Sequence, residues 1–243
     1  MKKFNLSNSA LIVALICITG AALMVFGSSL GLWEPIVGFA ASRNYNNVLG
    51  YCTIIIAVIA LFLALKNKQS KNTVKSLIAL VLGLIILAPT MLSLITTPVR
   101  YPPIHDITSD TQNPPQFTFL TDSRAGAKNT LVYAGQEIAV QQLKAFPDIQ
   151  PIISELAPDQ AYLKAIKIAE NMDWLIVNQD LNLLKFEATA RTPFFNFADD
   201  VVVKITTQQN NSRIDIRSVS RIGRGDRGVN AKRIKEFTEQ FNR

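Results

Sequence analysis

The stretch richest in chemistry lies near the C-terminus, where Arg213, Arg217, Arg221, Arg224, Arg227, Lys232, Arg233 and Lys235 fall within about two dozen residues. Only Asp215, Asp226 and Glu236 oppose them there. Residue types in this arrangement suit two kinds of chemistry. Arginines alternating along a strand can form bidentate pairs with carboxylates, and the adjacent Asp199 and Asp200 are the candidate partners of Arg217 and Arg221. Alternatively, Arg217, Arg221, Arg224, Arg227, Asn230 and Arg233 can surround an anion or a partner's acidic group at a turn whose backbone N–H groups open a helix.

Gly223-Arg224-Gly225-Asp226-Arg227-Gly228 fits the spacing G-x-G-x-x-G between a predicted strand and a predicted helix. Only fifteen residues follow Gly228. They make one helix and no second parallel strand, so a dinucleotide unit cannot close and no cofactor is expected. A phosphate, a sulfate or a lipid headgroup is the ligand class such a turn can take.

Catalysis has to be built from Asp199, Asp200, Ser218 and Ser220. Neither serine has a histidine base nearby, and neighbouring aspartates on a strand point to opposite faces. The one histidine, His105, lies in a proline-rich strap with no second histidine and no thiol in the same domain, which argues against a metal site. No catalytic and no metal-ligating residue is assigned.

The elements that must position these groups alternate in a mixed pattern. Helices are expected over 136–146 and 158–172, the second with Ala161, Ala165, Ile168, Ala169 and Met172 at helical spacing and Pro158 in its first turn. Strands are expected over 174–178, 184–191, 201–207 and 213–221, with turns at 180–182 and 208–212. A final helix begins near Asn230 as N-cap and carries Ile234, Phe237 and Phe241 on one stripe. Short connections make neighbours antiparallel, so 117–243 reads as an α+β domain with a four-stranded antiparallel sheet and flanking helices.

Ahead of that domain the character changes. Three uncharged apolar runs, 10–32, 48–65 and 76–97, are long enough to cross a bilayer as helices, given the roughly 20 residues this takes. Residues 1–97 therefore read as an α-helical membrane region with three transmembrane helices, and 98–116, with Pro98, Pro102, Pro103, Pro114 and Pro115, as an extended linker. Pro89 inside the third run predicts a kinked helix packed on its neighbours. Ionisable residues are absent from all three runs, so an anchor is expected and not a transport path.

The net charge of +7 is uneven. Residues 1–99 carry seven basic groups against Glu34 alone, whereas the rest has 18 basic and 17 acidic residues. The basic balance is thus a membrane-flank property and gives no basis for nucleic-acid binding. Lys2 and Lys3 precede the first span, and Lys66, Lys68, Lys71 and Lys75 fill the loop between the second and third. By the positive-inside tendency these face the cytoplasm, which sends the C-terminal domain to the opposite, periplasmic or outer, side of a bacterial inner membrane. Cys17 and Cys52 both sit in apolar runs, so no disulfide framework is expected.

Tyr133, Gln141 and Gln142, Ala145-Phe146-Pro147-Asp148-Ile149, Phe197-Ala198-Asp199-Asp200-Val201, and the block from Arg217 to Arg233 together resemble domain-of-unknown-function family 1499. The likeness runs from about Tyr101 to the C-terminus. It implies an envelope or organelle-lumen domain, in some members preceded by membrane spans, and carries no established activity. The resulting expectation is a membrane-anchored, non-catalytic binding or scaffold module that contacts membrane lipid headgroups or an envelope protein. The alternative is a tethered enzyme acting on an envelope lipid or polymer. Arginine forks closed by Asp199 and Asp200 favour the module, and an open pocket pairing either aspartate with Ser218 or Ser220 favours the enzyme.

Overall fold

A computed structural model describes residues 5–97, 99–208 and 211–243. Lys2, Lys3, Pro98 and the tip of the hairpin expected over 208–212, at 209–210, lie outside the described residues. The chain divides into two compact units, Met1–Val99 with Pro193–Asn196, and Arg100–Thr192 with Phe197–Arg243.

The first unit contains three helices, α1 (Leu6–Phe26), α2 (Pro35–Lys66) and α3 (Ser70–Ile95), all long and apolar enough to cross a membrane. Asn5 caps α1, its side chain accepting from the backbone N–H of Ser7 and Asn8. Helix α2 starts thirteen residues before the apolar run expected at Val48, because Pro35 at its first turn pre-sets the backbone and no breaker follows. Its 32 residues span about 48 Å, more than the hydrocarbon layer requires. Ala10, Ala14, Ala57, Ala60 and Ala79 pack together where the helices approach. Ile12, Ile55, Phe62 and Ile85 are exposed on the outside, as lipid-facing side chains are. A buried hydrogen bond of 3.0 Å from Ser76 Oγ to Ser7 Oγ ties α3 to α1. Pro89 lies inside α3, and the free cysteines form no disulfide.

The second unit is built on a six-stranded antiparallel sheet, and the expected four-stranded sheet is corrected accordingly. The strands are β1 (Asp106–Thr108), β2 (Ile152–Ser154), β3 (Leu175–Asp180), β4 (Lys185–Arg191), β5 (Ala198–Gln208) and β6 (Asn211–Ser220). Their order is β1-β6-β5-β4-β3, and β2 also pairs with β6. The two additional strands have three residues each, too short to show a two-residue period. With Ile104 and Ile107 fully buried and β1 hydrogen-bonded to β6, residues 104–109 of the 98–116 stretch pack into the sheet.

Three helices complete the unit: α4 (Gln136–Ala145), α5 (Pro158–Asn171) and α6 (Val229–Phe241). One face of the sheet carries Phe186, Ala188, Val201, Val203, Ile205, Ile214 and Ile216, which share a core with Ala161, Ala165 and Ile168 of α5 and Ile234, Phe237 and Phe241 of α6. Trp174 stacks on Phe237 at 5.4 Å between ring centroids. Gln142 of α4 is fully buried and closes a reciprocal pair with Thr108, accepting from its N–H at 3.0 Å and donating to its carbonyl at 2.6 Å.

The other face carries Lys185, Glu187, Thr189, Asp200, Asp215 and Arg217, which alternation would place in water. All six are buried. The segment 109–131 crosses this face as a strap, and Glu187 holds it by accepting backbone N–H bonds from Thr118 at 2.6 Å, Phe119 at 3.0 Å and Leu120 at 2.8 Å. A two-faced sheet with an apolar and a polar buried layer is the frame on which the arginines sit.

Candidate functional site

Arg217 stands in the middle of β6, opposite Thr108 of β1 and Val202 of β5, and is completely buried. Its guanidinium forms a bidentate pair with Asp106, Nε to Oδ1 at 2.9 Å and Nη2 to Oδ2 at 2.7 Å. The remaining donors reach the carbonyls of Leu131 at 2.7 Å and Pro115 at 3.3 Å. The rings of Phe117 and Tyr133 flank the cation with centroids at 5.5 and 5.3 Å. Arg217 therefore pairs with neither Asp199 nor Asp200, the partners expected from sequence. A charge this deep requires an ion partner and hydrogen bonds on its other donors; β1 supplies the first in Asp106 and the strap the second in the carbonyls of Pro115 and Leu131.

Asp200 serves Arg221 and, unexpectedly, Arg124. Arg221 donates from Nη2 to Asp200 Oδ1 at 2.8 Å and to Thr189 Oγ1 at 2.9 Å, and from Nη1 to the Ala125 carbonyl at 2.9 Å. Arg124 Nε bonds the other oxygen of Asp200, and its Nη2 reaches the Asn129 carbonyl at 3.1 Å. On the opposite face, Asp199 takes Arg233 Nη2 at 2.6 Å. Arg233 also donates to Ser218 Oγ at 3.0 Å and Asn230 Oδ1 at 2.5 Å, while Asn230 Nδ2 reaches Ser220 Oγ at 2.9 Å and the His105 carbonyl at 3.0 Å. Both serines and both aspartates are thus occupied inside closed networks.

The expected anion site is corrected by the same geometry. Arg217, Arg221 and Arg233 do not converge on the turn; the first two lie on the polar face and Arg233 on the opposite one, each held by an internal carboxylate. Asn230 is not the N-cap but the second residue of α6, fully buried, with its amide turned back to the serines. The cap is supplied by Asp226, whose carboxylate accepts from Gly228 N–H at 2.9 Å and Asn230 N–H at 2.7 Å. The helix N-terminus that an anion would use already holds one. Gly228 is required there: its φ is +80°, and an added Cβ would meet the Tyr101 ring at 2.6 Å. Arg224 and Arg227 remain exposed, and His105 Nδ1 lies 3.3 Å from the Arg224 carbonyl.

Sequence reasoning missed Asp106, Arg124 and Glu187. The apolar pair Ile104 and Ile107 around Asp106 was the available signal, without a two-residue period and masked by the surrounding prolines. Among the described residues no group of three or more His, Cys, Asp or Glu side chains is placed to hold a metal.

Two groups of the network have displaced acidities. Burial raises the Tyr133 hydroxyl to about 12, with the Asp106 charge adding to it and Arg217 opposing it. Burial likewise raises the Asp226 carboxyl above its ordinary 3.8, against the Asn230 and Gly228 N–H bonds that favour the anion, with the Asp199 charge adding to the rise.

A family model described as a protein of unknown function, DUF1499, matches residues 106–241. The chain belongs to this family. No curated protein matches it. The DUF1499 match opens on Asp106, the partner of Arg217, and closes on Phe241, the last buried residue of the core, so it takes in both ends of the arginine network and the α6 packing.

Removing one partner of a buried pair leaves the other charge uncompensated. Arg217→Met or Asp106→Leu alone is expected to destabilise the domain by about 3–5 kcal/mol, and the two together by clearly less than their sum. Denaturant unfolding of the domain from Arg100, followed by Trp174, its one tryptophan, measures this; strict additivity contradicts the pairing. A raised acidity constant in the folded state means that folded Asp226 holds its proton more tightly than unfolded Asp226. The wild type should therefore gain stability relative to Asp226→Asn as pH falls from neutral through the folded pKa towards 3.8, and lose that gain as pH rises again. A difference that stays flat across this window contradicts the assignment.

Proposed function

We propose that this DUF1499 protein is a membrane-anchored envelope component whose C-terminal domain is a non-catalytic module binding anionic groups, presented either by lipid headgroups or by an acidic face of an envelope protein. One observation carries the reading. The residues from which an enzyme would have to be assembled, Asp199, Asp200, Ser218 and Ser220, are each engaged by arginine, asparagine or threonine side chains, with Arg221 on Asp200 and Arg233 on Asp199.

The burial of both aspartates and both serines supports this reading over a tethered hydrolase or transferase, which would use them in an open pocket. Groups buried and engaged in this way brace the fold, which favours a binding module over a site that exchanges protons with a substrate. The three apolar helices supply the anchor. Lys66, Lys68, Lys71 and Lys75, clustered at the connection between α2 and α3, support a cytoplasmic position for that turn. With an odd number of spans, this reading puts the DUF1499 domain on the periplasmic or outer face.

The placement is tested by a reporter active only outside the cytoplasm, which should give signal when fused after Arg243. The binding is tested by flotation: the domain from Arg100 should associate with phosphatidylglycerol vesicles and not with phosphatidylcholine vesicles, and salt should weaken the association. Equal flotation with both vesicle types, or no flotation with the anionic ones at low salt, overturns the headgroup reading. Activity of a cytoplasm-only reporter after Arg243 overturns the placement.

A further inference from the structure

Beside the strap, on the polar face of the sheet, lies a groove of about 790 Å³. Its floor is formed by Lys185 of β4, Lys204 and Thr206 of β5, and Arg213 and Asp215 of β6, and the strap from Asp110 to Thr118 forms one wall. Lys185 and Lys204 are register partners across the β4–β5 ladder and share the groove face. Like charges directly opposite one another on a sheet destabilise it; Glu187 stands 3.5 Å from Lys185, which leaves Lys204 as the cation still to be compensated.

The nearby carboxylates do not compensate Lys204. Asp215 lies opposite Lys204 across the β5–β6 ladder, but its oxygens take Arg213 Nε at 2.8 Å and Nη2 at 3.0 Å, and Ser109 Oγ at 3.2 Å. Asp110 takes Arg213 Nη2 at 2.6 Å on one oxygen and the backbone N–H groups of Gln112 and Asn113, both at 2.9 Å, on the other. Glu187 lies 3.5 Å from Lys185 and holds the strap. Among the described residues no carboxylate comes within ion-pair distance of Lys204, and its side chain is exposed in the groove.

We infer that this groove is the anion-binding site of the domain, with Lys204 as its point charge, Lys185 as fixed positive background, and a phosphate carried on a small hydroxylated group as its ligand. The inference rests on the binding-module reading and places its contact on the sheet face and not at the Gly223–Gly228 turn. Three features select this ligand class. Lysine ammonium groups bind phosphate as compact point charges. The amides of Gln112 and Asn113 and the hydroxyl of Thr206 along the groove suit a hydroxylated body of glycerol or sugar size. The carboxylates that line the groove are turned to other donors: Arg213 bridges Asp110 and Asp215, and the backbone N–H groups of Gln112 and Asn113 take the second oxygen of Asp110.

The test uses the full chain in uncharged detergent, titrated calorimetrically with sn-glycerol 3-phosphate, inorganic phosphate and glycerol. Glycerol 3-phosphate should bind saturably and more tightly than inorganic phosphate, and glycerol should give no heat. Lys204→Gln should weaken the phosphate ligand by about tenfold, the loss of one charge-assisted hydrogen bond. Lys204→Arg should retain binding, and Lys232→Gln, at an exposed position on α6, should leave it unchanged. Because Lys204→Gln removes a like-charge pair, its thermal midpoint should not fall, which separates lost binding from lost folding.

In phosphatidylglycerol nanodiscs, weaker binding of glycerol 3-phosphate than in phosphatidylcholine discs assigns the phosphate to a lipid headgroup, and equal binding assigns it to a soluble ligand; both affirm the groove. Absence of binding at millimolar ligand, or binding that Lys204→Gln leaves intact, overturns the inference. Anionic flotation of the domain that survives Lys204→Gln leaves the module reading standing and removes only this site.

Discussion

A guanidinium at position 217, fully buried in the central part of β6, constrains most of the surrounding domain. A cation without solvent needs a carboxylate and acceptors for its other N–H groups, and these come from Asp106, Leu131 and Pro115. Each lies in the segment before α4 that has almost no regular structure of its own. The pair thereby determines that β1 joins β6, that the proline strap crosses the polar face, and that the aromatic rings of Phe117 and Tyr133 close over it. Satisfying one charge converts a chain of proline-spaced turns into the second wall of the domain.

The same logic recurs at the start of β5. Asp199 and Asp200 point to opposite faces, as consecutive strand residues must. Asp199 fastens α6 through Arg233, and Asp200 fastens the strap through Arg124 and Arg221. Two adjacent acids thus secure two different layers to one strand. This accounts for the dense signature between Arg217 and Arg233 without a reaction: each of its buried polar side chains answers another, and its glycines meet the steric demand of a turn closed by Tyr101 and Pro103. The exposed lysine that no carboxylate pairs among the described residues lies elsewhere, at Lys204, which faces Lys185 across the ladder.

Much of this was legible from residue patterns. The three apolar runs are legible from their length and lack of charge, helices α5 and α6 and strand β4 from their periodicity, and Pro158 marks the start of α5 as a proline in a first turn should. The Arg221–Asp200 pair follows from alternation and proximity. What was illegible depends on contacts distant in sequence. Asp106 and Arg217 are 111 residues apart, and no local pattern links them. The three-residue strands β1 and β2 are shorter than any period. The polar face of β4 reads as solvent-exposed until the strap is seen to cover it, and Asn230 reads as an N-cap until the carboxylate of Asp226 is found in that role. In each case tertiary burial decided between two locally equivalent readings.

The central claim is that the arginines of the signature are structural cations held by internal carboxylates, and it is most directly examined by residue-resolved arginine modification of the folded domain. Phenylglyoxal labelling read by mass spectrometry should modify exposed Arg224 readily and leave Arg217, Arg221 and Arg233 protected until denaturant is added. Labelling of those three at the rate of Arg224 in the native protein would show open guanidinium groups and contradict the account.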